Sequence, residues 1–121
     1  MSRLANIYKL VCDTLEPLGY PIREQGTYAS NEKLPETHIT YQLIDAPPGS
    51  HADNLPINTI PRIQLAFYSK KPAIKQAADG LLKSVMLPAG FMRASGRDLP
   101  FDKETGHYGF TSDYIIYQEE D

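Results

Sequence analysis

The chain has 121 residues, of which 41% are hydrophobic and 22% charged, a composition typical of one globular domain, residues 1–121, with a modest core. Its formal net charge of −3 argues against a surface that binds nucleic acid by neutralising phosphates, because such surfaces are basic. The single cysteine, Cys12, excludes an intramolecular disulfide.

The first predicted element is a helix over Ser2–Leu18. Apolar residues recur there at three- and four-residue spacing, which makes one apolar stripe: Leu4, Ile7, Val11, Leu15 and Leu18. Pro17 and Gly19 are expected to end it. No apolar signal-peptide run precedes this helix, and no stretch of the chain is long and apolar enough to span a membrane. We therefore predict a soluble protein that is cytoplasmic when made.

Two strands follow after a polar loop over Gly26–Lys33. In Thr37–Ile44, apolar side chains alternate with polar ones, and Ile60–Tyr68 repeats the alternation. We expect Ile39 and Tyr41 to share one face of the sheet, with His38 on the other.

The second half of the chain predicts a helix and a hairpin. The helix covers Pro72–Leu87, with proline in its first turn. A weak strand over Gly90–Arg97, a polar connection over Asp98–Thr105 and an aromatic strand over His107–Gln118 come next. The predicted fold is therefore α+β, in the order α-β-β-α-β-β: a four-stranded antiparallel sheet with two helices on one face.

The interval between the first two predicted strands, Asp45–Thr59, is the most informative feature of the sequence. Hairpin connections usually have two to five residues, and longer polar ones in small domains are commonly functional or disordered. One interpretation is a surface excursion that tolerates insertion. The other is an arm that orders against a neighbouring subunit, stiffened by prolines and carrying apolar anchors. Its candidate residues are Pro47, Pro48, Leu55, Pro56 and Ile57.

No pattern of catalytic or metal-binding residues is present in the sequence. His38, His51 and His107 are far apart, and none has a second ligand at metal spacing. There is no glycine-rich phosphate loop and no nucleophile elbow. We therefore predict no catalytic, cofactor-binding or metal-binding residues and no cofactor, and we expect that the protein is not an enzyme.

From Pro35 onward the chain resembles the small tail-completion and head-to-tail joining proteins of long-tailed bacteriophages and prophages, which are tail terminator-like. The resemblance rests on a proline-led first strand, the long loop, the strand Ile63–Lys70 ending in an aromatic-Ser-Lys step, the following helix with Gly90-Phe91, and the aromatic run Gly106–Tyr117. The N-terminal helix fits as well, so the resemblance covers most of the chain.

The resemblance implies a virion structural protein rather than an enzyme. Proteins of this kind form rings, usually six-fold, between the head connector and the tail tube. Their loops contact neighbouring subunits, and DNA passes through without sequence-specific binding. It implies a location at the head-tail junction of the virion, reached from the host cytoplasm, with no membrane partner. We expect the five arm residues to make the subunit contacts, and the Asp98–Thr105 turn is a second candidate.

Two other functions remain open at this stage. One is a small ferredoxin-like module that binds nucleic acid through stacking on Tyr41, Phe67 or Tyr68. Basic side chains for such a surface lie at Lys70–Lys75 and Arg93–Arg97. The other is a small α+β enzyme or ligand-binding domain, which a deep pocket holding a histidine and a carboxylate would favour.

Overall fold

A computed structural model describes residues 7–45, 48–52 and 55–119. Its helices are α1 (Ile7–Leu15), α2 (Pro72–Gln76) and α3 (Ala78–Met86), with a 3₁₀ turn at Glu16–Leu18. Its strands are β1 (Ile22–Glu24), β2 (Thr37–Asp45), β3 (Pro48–Ala52), β4 (Leu55–Thr59), β5 (Arg62–Ser69), β6 (Met92–Asp102), β7 (His107–Ile115) and β8 (Gln118–Glu119). None of the described helices has the length and hydropathy needed to cross a membrane.

The main sheet has five strands in the order β1-β2-β5-β7-β6. The α+β class is confirmed, but the predicted four-stranded antiparallel sheet is wrong. β1 adds a fifth strand and runs parallel to β2, with Ile22 beside Ile39, so the sheet is mixed. The sequence of Tyr20–Glu24 indicates a short extended piece, but three residues are too few to show the alternation by which a sheet strand is recognised, so β1 was not counted in the predicted sheet.

The core lies between the helices and one face of this sheet. Side chains from α1 and α3 join those of the three central strands in one buried cluster: Ile7, Val11, Leu15, Ala78, Leu82, Met86, Ile39, Ile63, Leu65, Phe67, Phe91, Phe110 and Tyr114. The predicted inward positions of β2 and β5 are confirmed, because Ile39, Ile63, Leu65 and Phe67 are all 0% exposed. His38, Thr40 and Tyr68 therefore point to the opposite face.

The helices differ in detail from the prediction. Helix α1 ends at Leu15, and a 3₁₀ turn continues to Leu18, where Gly19 takes a φ of 81° and closes the turn as expected. Residues 1–6 of the predicted helix lie outside the described residues. The second helix is divided at Ala77, whose N–H is shared between the carbonyls of Ala73 and Ile74, a bifurcated bond that tightens the turn.

The predicted long loop between the first two strands is, where described, a β-hairpin. β3 pairs antiparallel with β4, and β4 pairs with β8. In the chain, β3 follows β2, β4 precedes β5 and β8 follows β7. The order β3-β4-β8 of the small sheet therefore repeats the order β2-β5-β7 of the main sheet. We call residues 48–59 the arm; it continues the central hairpin past the end of the main sheet.

The last hairpin is longer than the sequence indicates. β6 extends to Asp102, so Asp98–Asp102 is strand and the turn occupies residues 103–106. The predicted polar connection over Asp98–Thr105 is therefore wrong for most of its length. Ten of the eleven residues of β6 are exposed at the sheet's edge, and five of the eleven are polar or charged, so the strand lacks the regular alternation of a half-buried strand.

Candidate functional site

The arm carries four of the five predicted contact residues in its two strands. Pro48 lies in β3, and Leu55, Pro56 and Ile57 lie in β4; Pro47 lies outside the described residues. The register places His51 opposite Pro56 and Ala52 opposite Leu55. The hairpin therefore brings the predicted residues onto one small element at one end of the molecule.

A second feature lies at the other end of the main sheet. Residues 25–36, which we call the covering loop, connect β1 to β2 and lie against the sheet face away from the core. Thr40 donates a hydrogen bond to the Gln25 side chain at 2.8 Å, and Lys70 N–H donates to the Glu36 carbonyl at 3.0 Å. The covering loop is thus hydrogen-bonded to the sheet at both of the loop's ends, Gln25 and Glu36.

Arg23 of β1 organises the middle of the covering loop. Its guanidinium pairs with Glu32 at 2.8 Å and lies 4.3 Å from the centre of the Tyr28 ring. Glu32 also accepts a hydrogen bond from the Ala29 N–H. The Arg23 hydrogen bond, followed by that from Ala29, lowers the pKa of the Glu32 carboxyl from its ordinary value. The Glu32 carboxylate is therefore bound by Arg23 of β1 and by the Ala29 N–H of the covering loop.

Two buried histidines meet at one carbonyl of the covering loop. His38 Nδ1 lies 3.1 Å from Pro35 O, and His107 Nε2 lies 2.8 Å from the same oxygen. A carbonyl only accepts, so both ring nitrogens carry hydrogen and donate. Each histidine is 3% exposed, and their ring centres are 5.1 Å apart. We call this arrangement the histidine clamp.

Aromatic rings enclose the clamp on two further sides. Tyr68 stacks on His38 at 5.0 Å, and Tyr28 contacts His38 edge-on at 5.4 Å. Burial lowers the pKa of His38, a lowering that the neighbouring His107 adds to and the bond to Pro35 opposes. Burial also raises the pKa of Tyr68, with a smaller effect of Asp102 in the same direction. His38 and Tyr68 therefore both favour their neutral forms.

Two adjoining cavities lie beside the clamp. One, of about 440 Å³, lies between the covering loop, Lys70 and the turn that begins β7. The other, of about 260 Å³, lies under the covering loop against His38, Thr40 and Tyr68. They share lining from Tyr28, Leu34, Thr105 and His107, and we call them together the loop cavity.

The rim of the loop cavity carries unequal charges. Lys33 and Lys70 are exposed there, and neither forms an ion pair within the part of the chain that the structure describes. Glu32 is paired with Arg23, and Asp102 Oδ1 accepts the N–H groups of Glu104 and Thr105. The two lysines therefore face one carboxylate, Asp102, whose charge is not offset by a basic side chain.

The geometry of the loop cavity suits binding better than proton transfer. His107 Nε2 is used by Pro35, and Nδ1 of the same ring is buried without a hydrogen-bond partner. Asp102, the nearest carboxylate in the lining, is already bonded to its own turn. Over residues 7–45, 48–52 and 55–119, no three histidine, cysteine or acidic side chains group as metal ligands. Aromatic walls with a lysine rim fit an apolar or anionic group.

Sequence reasoning missed the histidine clamp. His38 and His107 are 69 positions apart in the chain, and what joins them is the placing of β2 and β7 on either side of β5. The alternation in β2 does predict that His38 faces away from the core, which is confirmed. The strand order that gives His107 the same face follows from tertiary packing, and local pattern does not encode it.

The residues considered for nucleic-acid stacking are largely unavailable. Phe67 is 0% exposed in the core, so its expected role as a stacking platform is wrong. Tyr41 packs against the core and near Tyr8, and Tyr68 is stacked on His38. An open row of aromatic rings, which single-stranded nucleic acid requires, is not formed by these three residues.

No protein-family model matches the sequence, and no curated protein matches it at a significant level.

Proposed function

We propose that this protein is a structural component of a bacteriophage or prophage virion that completes the tail or joins it to the head connector. It acts by assembling into a ring of about six subunits around the DNA channel. Its partners are its own neighbours, the head connector and the tail tube, with DNA passing and no cofactor or membrane involved. It is not an enzyme, and it reaches the head-tail junction from the host cytoplasm.

The arm is the observation that carries this proposal. Its pairing order extends the central hairpin beyond the main sheet, so backbone hydrogen bonds support it as far as Ala52 and Leu55. β8 pairs with the base of the arm as a third strand. A surface loop that merely tolerates insertion has no need of such a strand. A projecting hairpin of this kind is suited to contact a neighbouring subunit.

The resemblance and the charge balance support the same proposal. The element order shared with tail-completion proteins is present as α1, β2, β5, α2 with α3, β6 and β7. The net charge of −3 suits a passage through which DNA slides without adhering to the wall.

Deletion of Ser50–Asn54 tests the role of the arm. The core cluster is built from the helices and the main sheet, so we expect the shortened chain to keep its thermal unfolding transition. Ring formation and head-tail joining should be lost, as measured by solution mass and by joining of heads to tails in vitro. A matched control replaces Lys9 and Asp13 with alanine on the exposed face of α1, and it should assemble normally. Normal assembly of the shortened chain would refute the arm's role.

Ligand binding is the second candidate function, because the loop cavity holds His107 and the carboxylate Asp102. This is the combination that the sequence reasoning named as favouring it. An enzymatic form of it has little support from the geometry, since His107 Nδ1 is inaccessible and Asp102 is bonded to its turn. Binding of a small anion with micromolar affinity, without any assembly, would favour this function over the virion role.

A further inference from the structure

The arm and the loop cavity lie at opposite ends of the main sheet. Asp45, after which the arm begins, pairs with Arg62, whereas His38 pairs with Tyr68 at the loop cavity. His38 and Asp45 are seven residues apart on β2, a distance of about 24 Å at the rise of an antiparallel strand. A contact between the arm of one copy and the loop cavity of another therefore joins two different surfaces.

The arm and the loop cavity are complementary in charge. From Asp45 to Ile60 the sequence contains two carboxylates, Asp45 and Asp53, and no lysine or arginine. The rim of the loop cavity presents Lys33 and Lys70; Glu32 is offset by Arg23, whereas Asp102 keeps its charge while it accepts N–H groups of its own turn, so the rim has an excess of positive charge. An acidic segment is therefore attracted to this rim and is little opposed by it.

They are complementary in polarity as well. The half-buried rings of Tyr28 and Tyr68 line the loop cavity, and aromatic-lined grooves bind proline-rich segments. The arm region has Pro47, Pro48 and Pro56 together with two aliphatic residues. The acidic C-terminal segment of the chain, Glu119–Asp121, matches the charge but lacks the apolar groups, so we assign the arm as the occupant.

We propose that the loop cavity of each subunit binds the arm of a neighbouring copy. This inference rests on the proposed ring assembly and names the surface that receives the arm. Because the two surfaces differ, the contact is heterologous, and repeated heterologous contacts close into rings when the rotation permits. The covering loop, fixed by Arg23 and by the histidine clamp, forms the wall of the receiving surface.

A pair of complementary variants tests this contact in isolation. The first, with Ser50–Asn54 deleted, keeps its loop cavity and lacks a complete arm. The second, carrying Lys33→Glu and Lys70→Glu, keeps its arm and has a reversed rim; both lysines are exposed, so folding is expected to be unaffected. Each alone should remain a monomer, and an equimolar mixture should form a one-to-one dimer of doubled mass in sedimentation velocity.

The control separates the loop cavity from general charge effects. Lys9→Glu with Lys71→Glu changes the net charge by the same amount at exposed positions outside the cavity lining, and this chain should assemble as the wild type does. Equal loss of assembly in the control would overturn the proposal. So would loss of the mixed dimer when the second variant also carries Glu119→Gln, Glu120→Gln and Asp121→Asn, because the acidic tail would then be the occupant; these changes retain the backbone of β8, which pairs with the arm.

The outcomes for the two proposals are distinct. A mixture that stays monomeric while the wild-type chain forms rings would refute the arm-in-cavity contact and leave the virion role standing. If the wild-type chain forms no ring under the same conditions, ring assembly fails and the contact inferred from it fails too.

Discussion

At the scale of single residues, the histidine clamp is where the fold is most sensitive to protons. His38 and His107 both donate to Pro35 O, and both rings are buried. The groups that face them are Tyr28 from the covering loop, Tyr68 from β5 and Asp102 from β6. Burial raises the pKa of Tyr68, so this tyrosine stays neutral throughout the range in which histidine titrates.

Acidification is expected to loosen the covering loop. Because the pKa of His38 is lowered in the folded chain, the unfolded chain binds more protons once the pH falls below about 6.5. The free energy of unfolding should therefore be highest above this pH and should decrease as the pH falls toward the lowered pKa. Urea unfolding from pH 8 to pH 5, with hydrogen exchange of residues 25–36, measures both effects.

Two histidine substitutions provide the test of that explanation. His38→Asn keeps a side-chain donor near Pro35 O but cannot titrate, so the decrease in stability below pH 6.5 should become smaller. His51→Asn removes the histidine of the arm and should leave the pH dependence as in the wild type. An unchanged pH profile in His38→Asn would show that the clamp is not the source.

At the scale of elements, the covering loop depends on Arg23 more than on apolar packing. Much of this loop is exposed, while Arg23 joins Glu32 and Tyr28 across its width. Arg23→Leu should therefore speed hydrogen exchange of residues 26–34 several-fold, because these contacts order the loop locally. The melting temperature should change little, since the core cluster is untouched.

The comparison variant for Arg23 is Lys9→Leu. It breaks an exposed ion pair with Asp13 on α1 and should leave exchange in residues 26–34 unchanged. If Arg23→Leu gives the same exchange rates as the wild type in those residues, the proposed ordering of the covering loop by Arg23 is incorrect.

The elements differ in how far the sequence predicts them. The β2 and β5 alternations place their inward side chains correctly, because a half-buried strand must repeat every two residues. β1 escapes because three residues carry no period, and its parallel pairing depends on the turn at Gly19. The arm was recognised as a feature by its length and prolines. Its hairpin form was not, because its two strands contain Pro48 and Pro56, and proline is uncommon within strands.

At the scale of the whole molecule, the main sheet separates two surfaces that we propose to be complementary. The arm extends from one end, and the loop cavity lies at the other, with the α1 and α3 layer covering one face between them. The core supplies the rigidity that fixes these ends relative to each other. A rigid body with different surfaces at its two ends is suited to head-to-tail assembly. When such an assembly closes into a ring, every contact surface is occupied.

The measurement that tests the account most directly is the assembly state of the concentrated wild-type protein. Negative-stain electron microscopy and solution mass should be determined on the same sample. The account predicts closed rings of about six subunits, with a matching mass. A monomer at every concentration, with no rings in the images, would contradict assembly through the arm and favour ligand binding at the loop cavity.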